Sequence, residues 1–131
     1  MIGLDTNVLV RYFVRDEPLQ TQAADKVIDA LTPEEPGWIG QVALVELVWA
    51  LRFMYRFEQE GIGAIVETLL RSRDVIVEQE SAVHQALSLY RNSRAAFADC
   101  LIAILARAAG CGHVVTFNRI AARDAGMKLI T

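Results

Sequence analysis

Short apolar runs alternate with segments of helical period along the 131-residue chain. The run "IGLD" (2–5) reads as a short buried strand. A helix is predicted from Thr6 to about Val14. A second is predicted from Pro18 to Leu31, where Asp16 or Glu17 can cap and the proline sits early. Thr32-Pro-Glu-Glu-Pro-Gly37 is a turn, "WIG" (38–40) a brief strand, and Val42 to Phe57 a long helix. Gly61 to Leu70 continues as helix despite Gly63, and the β-branched run "VIVE" (75–78) reads as a strand. Helices follow over Ser81 to Asn92 and Ala98 to Ala109, the latter stopped by Gly110. The run "HVVTF" (113–117) is a further strand, Ile120 to Ala125 a short helix and "KLI" (128–130) the last strand. This alternation predicts an α/β fold with a mostly parallel central sheet covered on both faces. In such sheets the site lies beyond the carboxyl ends of the strands.

One departure from the pattern stands in "VALVELVWAL" (42–51), where Glu46 is the single charge among ten residues. Apolar neighbours at helical spacing on both sides suggest that it faces the core, and an ionised carboxylate there needs a partner. An ion pair with Arg52 or another arginine would supply one. "FADCLIAILA" (97–106) poses the same question for Asp99, which a place in the first helical turn, facing the helix dipole, would also explain. Two polar stations end predicted strands, Asp5-Thr6-Asn7 and Thr116-Phe117-Asn118. Each could do no more than cap the helix that follows. A joint reading is more economical: Asp5, Glu46 and Asp99 converge at the strand ends. Carboxylates about 5 Å apart repel by roughly 3 kcal/mol per pair at an effective dielectric near 20, so the cluster calls for a cation. All-oxygen ligands select a hard ion, Mg²⁺ or Mn²⁺, suited to phosphate-ester hydrolysis. Thr6, Asn7, Thr116 and Asn118 could then orient water or a phosphate oxygen.

Composition narrows this further. With 53% hydrophobic and 22% charged residues the chain is expected to fold as one domain over 1–131. Neither long apolar run reaches the uninterrupted length of a membrane span, and no signal segment precedes Asp5, so the expected location is the cytoplasm. Cys100 and Cys111 are read as reduced, small core residues. A net charge of −3 argues against coating nucleic acid through bulk electrostatics, while leaving room for a local basic groove.

Taken together, "LDTNVLV", "ALVELVWAL", "FADCLIAILARAAG" and "VVTFNR" resemble, in order and spacing, the PIN-domain ribonucleases, and more narrowly the VapC-type toxins of bacterial toxin–antitoxin pairs. The resemblance implies a three-layer α/β/α PIN-like fold, a Mg²⁺- or Mn²⁺-dependent endoribonuclease, a homodimer, and a small VapB-type antitoxin as partner. By position Asp5, Glu46 and Asp99 match the family's first three acids, and Thr6, Asn7 and Thr116 its accessory polar positions. The family's usual fourth acid is replaced by Asn118, and an aspartate common before "FAD" by Ala96. An amide brings no charge, so a second metal position is expected to be weaker than the first. Asp124 could compensate only by turning inward, and is expected to stay a solvated surface acid.

Arginine pairs at i, i+4 spacing (Arg11 with Arg15, Arg52 with Arg56, Arg119 with Arg123) are candidates for RNA contact, with solvated ion pairs as the alternative. Arg11 and Arg15 have the best claim, because their helix starts at the proposed site. Trp49, Phe53, Met54, Tyr55 and Phe57 crowd one helix end and suggest a surface for a second copy or an antitoxin helix. The competing functional readings are a catalytically weak PIN-like module that binds RNA or antitoxin without efficient cleavage, a receiver-like signalling module and a small-molecule phosphatase. A receiver would want an acidic pair at the first strand and a lysine at the last, and only one Asp stands at the first.

Overall fold

A computed structural model describes all 131 residues and divides into two compact units, Met1–Glu78 and Gln79–Thr131. The first unit contains β1 (Ile2–Gly3), α1 (Thr6–Val14), α2 (Pro18–Asp29), β2 (Gly37–Ile39), α3 (Gln41–Phe53), α4 (Gln59–Arg71) and β3 (Val75–Val77). Its three strands are all parallel with β2 in the centre, and the register pairs Ile2 with Gly37 and Gly37 with Val75. Parallel strands need helical crossovers, which α1 with α2 and α3 with α4 supply. α1 packs on α2 and α3, and α4 on β3. Leu9, Ile39, Leu44, Leu47, Leu51, Ile62 and Val66 form the fully buried core.

The second unit contains α5 (Glu80–Arg91), α6 (Phe97–Ala108), β4 (Val115–Thr116), α7 (Arg119–Asp124) and β5 (Lys128–Leu129). α5 packs on α6 through Val83, Ala86, Leu87, Cys100 and Leu101, and Tyr90 meets Phe97 edge-on at 5.8 Å. β4 and β5 form a parallel pair of their own. The chain is thus α/β with parallel strands throughout, hydrogen-bonded as two sheets where the alternation suggested one.

Local signals account for most element boundaries. Asp5 and Glu17 cap α1 and α2 with their side chains, Pro18 opens α2, and Asn118 caps α7 by accepting the Ala121 N–H. α3 ends at Phe53, four residues before the predicted Phe57. The Met54 and Tyr55 N–H groups both donate to the Ala50 carbonyl, and Arg56 turns left-handed (φ 58°), so the chain leaves the helix there. α6 closes in a Schellman motif: the Cys111 N–H reaches the Ala106 carbonyl (2.9 Å) and the Gly110 N–H that of Arg107 (3.0 Å). Cys111 is therefore the exposed residue just past a helix cap, not the core residue expected, whereas Cys100 is buried. Burial pushes the Cys100 thiol above its usual range.

Gly110 has φ 95° and nothing within 4 Å of the position a Cβ would take. Gly110→Ala is therefore expected to act through backbone strain alone, lowering stability by about 1–2 kcal/mol with an unchanged native fold, as read by urea denaturation.

Candidate active site

In the first unit, β1 delivers the chain to its functional end. The Leu4 N–H bonds to the Trp38 carbonyl (2.9 Å) while the Leu4 side chain is buried, which fixes the backbone one residue before Asp5. Asp5 is extended (φ −79°, ψ 157°) and its Oδ1 accepts the Thr6 N–H at 2.7 Å, so the capping role is real. That bond uses one carboxylate oxygen and leaves the other without a protein partner. The Thr6 hydroxyl, in the first turn of α1, donates to Glu46 Oε1 on α3 at 3.0 Å. Two sequence-predicted carboxylates are in this way tied to one threonine.

Glu46 does not face the core. Leu44, Leu47, Val48 and Leu51 form the buried face of α3 at i, i+3, i+4 and i+7, and Glu46 falls outside it. It shares an outward stripe with Val42, Trp49 and Phe53, which are 75%, 56% and 65% exposed. No arginine pairs with it: the Arg52 guanidinium lies over the Phe53 ring at 5.9 Å.

Asp5, Thr6 and Glu46 line a cleft of about 520 Å³ together with Gly3, Gly40, Gln41 and Glu78. Glu78 is the acid that sequence reasoning missed as a site residue. It follows β3, and its Oε1 accepts the Gln41 N–H at 2.8 Å, capping α3 in place of Gly40, which has no side chain to do so. A Cβ on Gly40 would come within 2.9 Å of the Trp38 ring, so glycine is what lets that ring lie against the helix entrance. The signal available in the sequence was a third strand-end acid beside a helix that begins on glycine. Gln41 adds a buried amide oxygen with no hydrogen-bond partner. This donor set is all oxygen and suits a hard cation such as Mg²⁺ or Mn²⁺. Neither unit by itself brings three acidic, histidine or cysteine side chains within reach of one ion.

The other predicted positions divide by role. Asn7 is exposed on α1. Asp99, in the second unit, is the third residue of α6, half-buried in the first turn and with no side-chain hydrogen bond or ion pair. Thr116 Oγ1 accepts the Asn118 N–H at 3.0 Å, and the Asn118 amide oxygen is engaged by the Ala121 N–H at 3.0 Å. Arg11 and Arg15 are not free cations. Arg11 bonds Asp16 (3.1 Å) and Gln20 (2.6 Å), and Arg15 grips Asp25 through two bonds of 2.8 and 2.7 Å. The Arg15 guanidinium holds the Asp25 carboxyl below the usual carboxylate range. The solvated-pair alternative therefore describes these two arginines, because acids of the same unit lie within reach of their donors.

Asp124 is not the solvated surface acid that its sequence neighbours suggest. Its side chain is only 16% exposed and both oxygens are used, Oδ1 by Arg123 Nε (2.7 Å) and Oδ2 by the Arg94 N–H (2.8 Å).

A model of the PIN domain family matches residues 2–126. The chain belongs to the PIN-domain family. Among curated relatives, a VapC ribonuclease of Aquifex aeolicus (strain VF5) is 31% identical over 117 residues, covering 88% of this chain and 86% of that protein. The PIN match takes in residues of both units and all three predicted acids. No helix of this PIN-domain chain is long and apolar enough to cross a membrane.

The Arg123 side chain, then the Arg94 N–H, hold the Asp124 carboxyl below its ordinary value. Its folded-state value being depressed, the clamp contributes stability above about pH 4, and that contribution disappears as pH falls through the folded value. Asp124→Asn should therefore be less stable than the parent at neutral pH, with the gap in urea midpoint closing below about pH 4. A gap that stays constant down to acid pH would show that charge is not its basis.

Proposed function

We propose that this chain is a metal-dependent endoribonuclease, the toxin of a VapBC-type pair, that hydrolyses RNA phosphodiester bonds. The observation that carries the reading is the pairing of Asp5 and Glu46 through Thr6 at the carboxyl end of β1, in a chain of the PIN family. Support for the ribonuclease activity comes from the VapC relative, and support for the hard cation from the all-oxygen donor set. Asp5 and Asp99 are the proposed ligands. Asp99 is assigned by its place in "FADCLIAILARAAG", and its carboxylate, without a partner of its own, has its oxygens to give.

A bound Mg²⁺ or Mn²⁺ would offset the repulsion between the carboxylates and the charge growing on the phosphate. Glu46 accepts the proton of the attacking water, and the Thr6 hydroxyl holds the orientation of its carboxylate for that task. Water oxygen bonds to phosphorus, the P–O3′ bond breaks, the leaving 3′-oxygen takes a proton from solvent water, and the products carry 5′-phosphate and 3′-hydroxyl ends. Thr116 and Asn7 act as accessory polar groups. Asn118 keeps its amide oxygen on the α7 cap, which favours one firmly held metal over two. The same observation supports the second reading, a module that binds RNA or antitoxin with little cleavage.

The proposed assembly is a homodimer in which the 1–131 chain acts as one domain, and the proposed antitoxin is a VapB-type protein. Trp49, Phe53 and Met54, each more than half exposed around the end of α3, are the proposed contact surface for either protein partner.

Cleavage of total RNA by the chain alone, with Mn²⁺ or Mg²⁺, is expected at few sites and is expected to vanish with EDTA. Asp5→Asn should lower the rate at least ~100-fold while leaving the fold intact by circular dichroism. Cuts that survive EDTA, or that end in 2′,3′-cyclic phosphate, would overturn the mechanism. Folded protein that binds metal but does not cut would transfer the assignment to the binding-only module.

A further inference from the structure

The second unit holds an open groove of about 510 Å³ lined by Arg91, Asn92, Ser93, Arg94, Arg123 and Asp124. Three guanidinium groups and one carboxylate share this wall, in a chain whose overall charge is −3. The carboxylate is not open to a cationic ligand, because both Asp124 oxygens are engaged and its side chain is largely buried. Its bond to Arg123 runs through Nε, so the two terminal nitrogens of that guanidinium make no hydrogen bond to it, on a side chain 63% exposed. Arg94 is exposed, and its guanidinium makes no hydrogen bond or ion pair within the protein. Asp124 grips the Arg94 backbone N–H, which fixes the loop and leaves the side chain to the groove. Arg11 and Arg15, by contrast, have their charges met by Asp16 and Asp25.

We infer that the Arg94–Arg123 groove is a phosphate subsite that holds the backbone of the RNA substrate a short way from the bond that is cut. Two forked guanidiniums, one steered by a buried carboxylate, match the oxygens of phosphodiesters better than a diffuse positive field does. Arg94 lies five residues before Asp99, so their Cα atoms are at most about 18 Å apart, within a short stretch of one strand. The inference deepens the ribonuclease reading and rests on it for the identity of the anion. It supplies a place for substrate affinity in an acidic chain whose best-placed arginines by sequence are already paired.

The test is binding, without chemistry, of a fluorescent single-stranded 12-nucleotide RNA to the full chain in EDTA, across a series of salt concentrations. Arg94→Ala should weaken binding about fivefold and reduce the slope of log K against log salt by roughly 0.7, the loss of one phosphate contact. Arg94→Lys should recover most of the slope, and Lys26→Ala, an exposed cation on α2, should leave it unchanged. Phenylglyoxal modification of the unsubstituted chain gives a reading independent of any variant's folding, with RNA protecting Arg94 and Arg123. An Arg94→Ala slope equal to the parent's, a Lys26→Ala loss as large as that of Arg94→Ala, or unprotected arginines would each overturn the subsite. Parent protein that binds RNA with unchanged Arg94→Ala behaviour would remove the subsite alone. Parent protein that binds no RNA would remove the substrate reading with it.

Discussion

The Thr6 hydroxyl bridges two elements 40 residues apart in the chain, at 3.0 Å from Glu46 Oε1. On one side it begins a helix capped by Asp5; on the other it meets the exposed face of α3. A charge-assisted bond of this kind fixes the rotamer of a long, otherwise mobile glutamate. Everything proposed for the site depends on that restraint, because a base must sit within hydrogen-bond reach of the proton it takes. The restraint depends in turn on the parallel sheet. Pairing of Ile2 with Gly37 and Gly3 with Trp38 sets where β1 ends, and the carboxylate and hydroxyl follow at once.

Charge is partitioned in the same economical way. Among the acids of the first unit, Asp16 and Asp25 neutralise arginines, Glu17 caps a helix, and Asp5 and Glu46 each keep an oxygen without a protein partner in the cleft. In the second unit the sense is reversed: one largely buried acid, Asp124, organises a groove to which Arg94 and Arg123 contribute. A negative protein can thereby combine the proposed cation site in the cleft with the proposed phosphate subsite in the groove, without needing a basic surface overall.

Much of this was legible in the sequence where local rules govern. Thr6–Val14 matches its sequence expectation, and α6 matches to within one residue at each end, because a capping aspartate and a left-handed glycine act over only a few positions. The sequence points to Asp5 both as a cap and as a site residue, and one carboxylate has room for both. What escaped depends on contacts between distant segments. The exposure of Glu46 follows from which side of α3 meets α1, which its mostly apolar sequence does not reveal. Glu78 joins the cleft because a strand end reaches a glycine-capped helix 37 residues away. Asp124 turns inward to an N–H 30 residues distant, where its own neighbours suggest only a surface acid.

Single-turnover cleavage of RNA at saturating Mn²⁺ asks whether the Thr6 hydroxyl holds Glu46 in place as the base. Thr6→Val removes that hydroxyl, keeps the shape of the side chain and keeps the backbone N–H that binds Asp5, and is expected to cut roughly 10- to 100-fold more slowly than the parent with Mn²⁺ affinity unchanged. A Thr6→Val protein that cuts as fast as the parent would contradict this role.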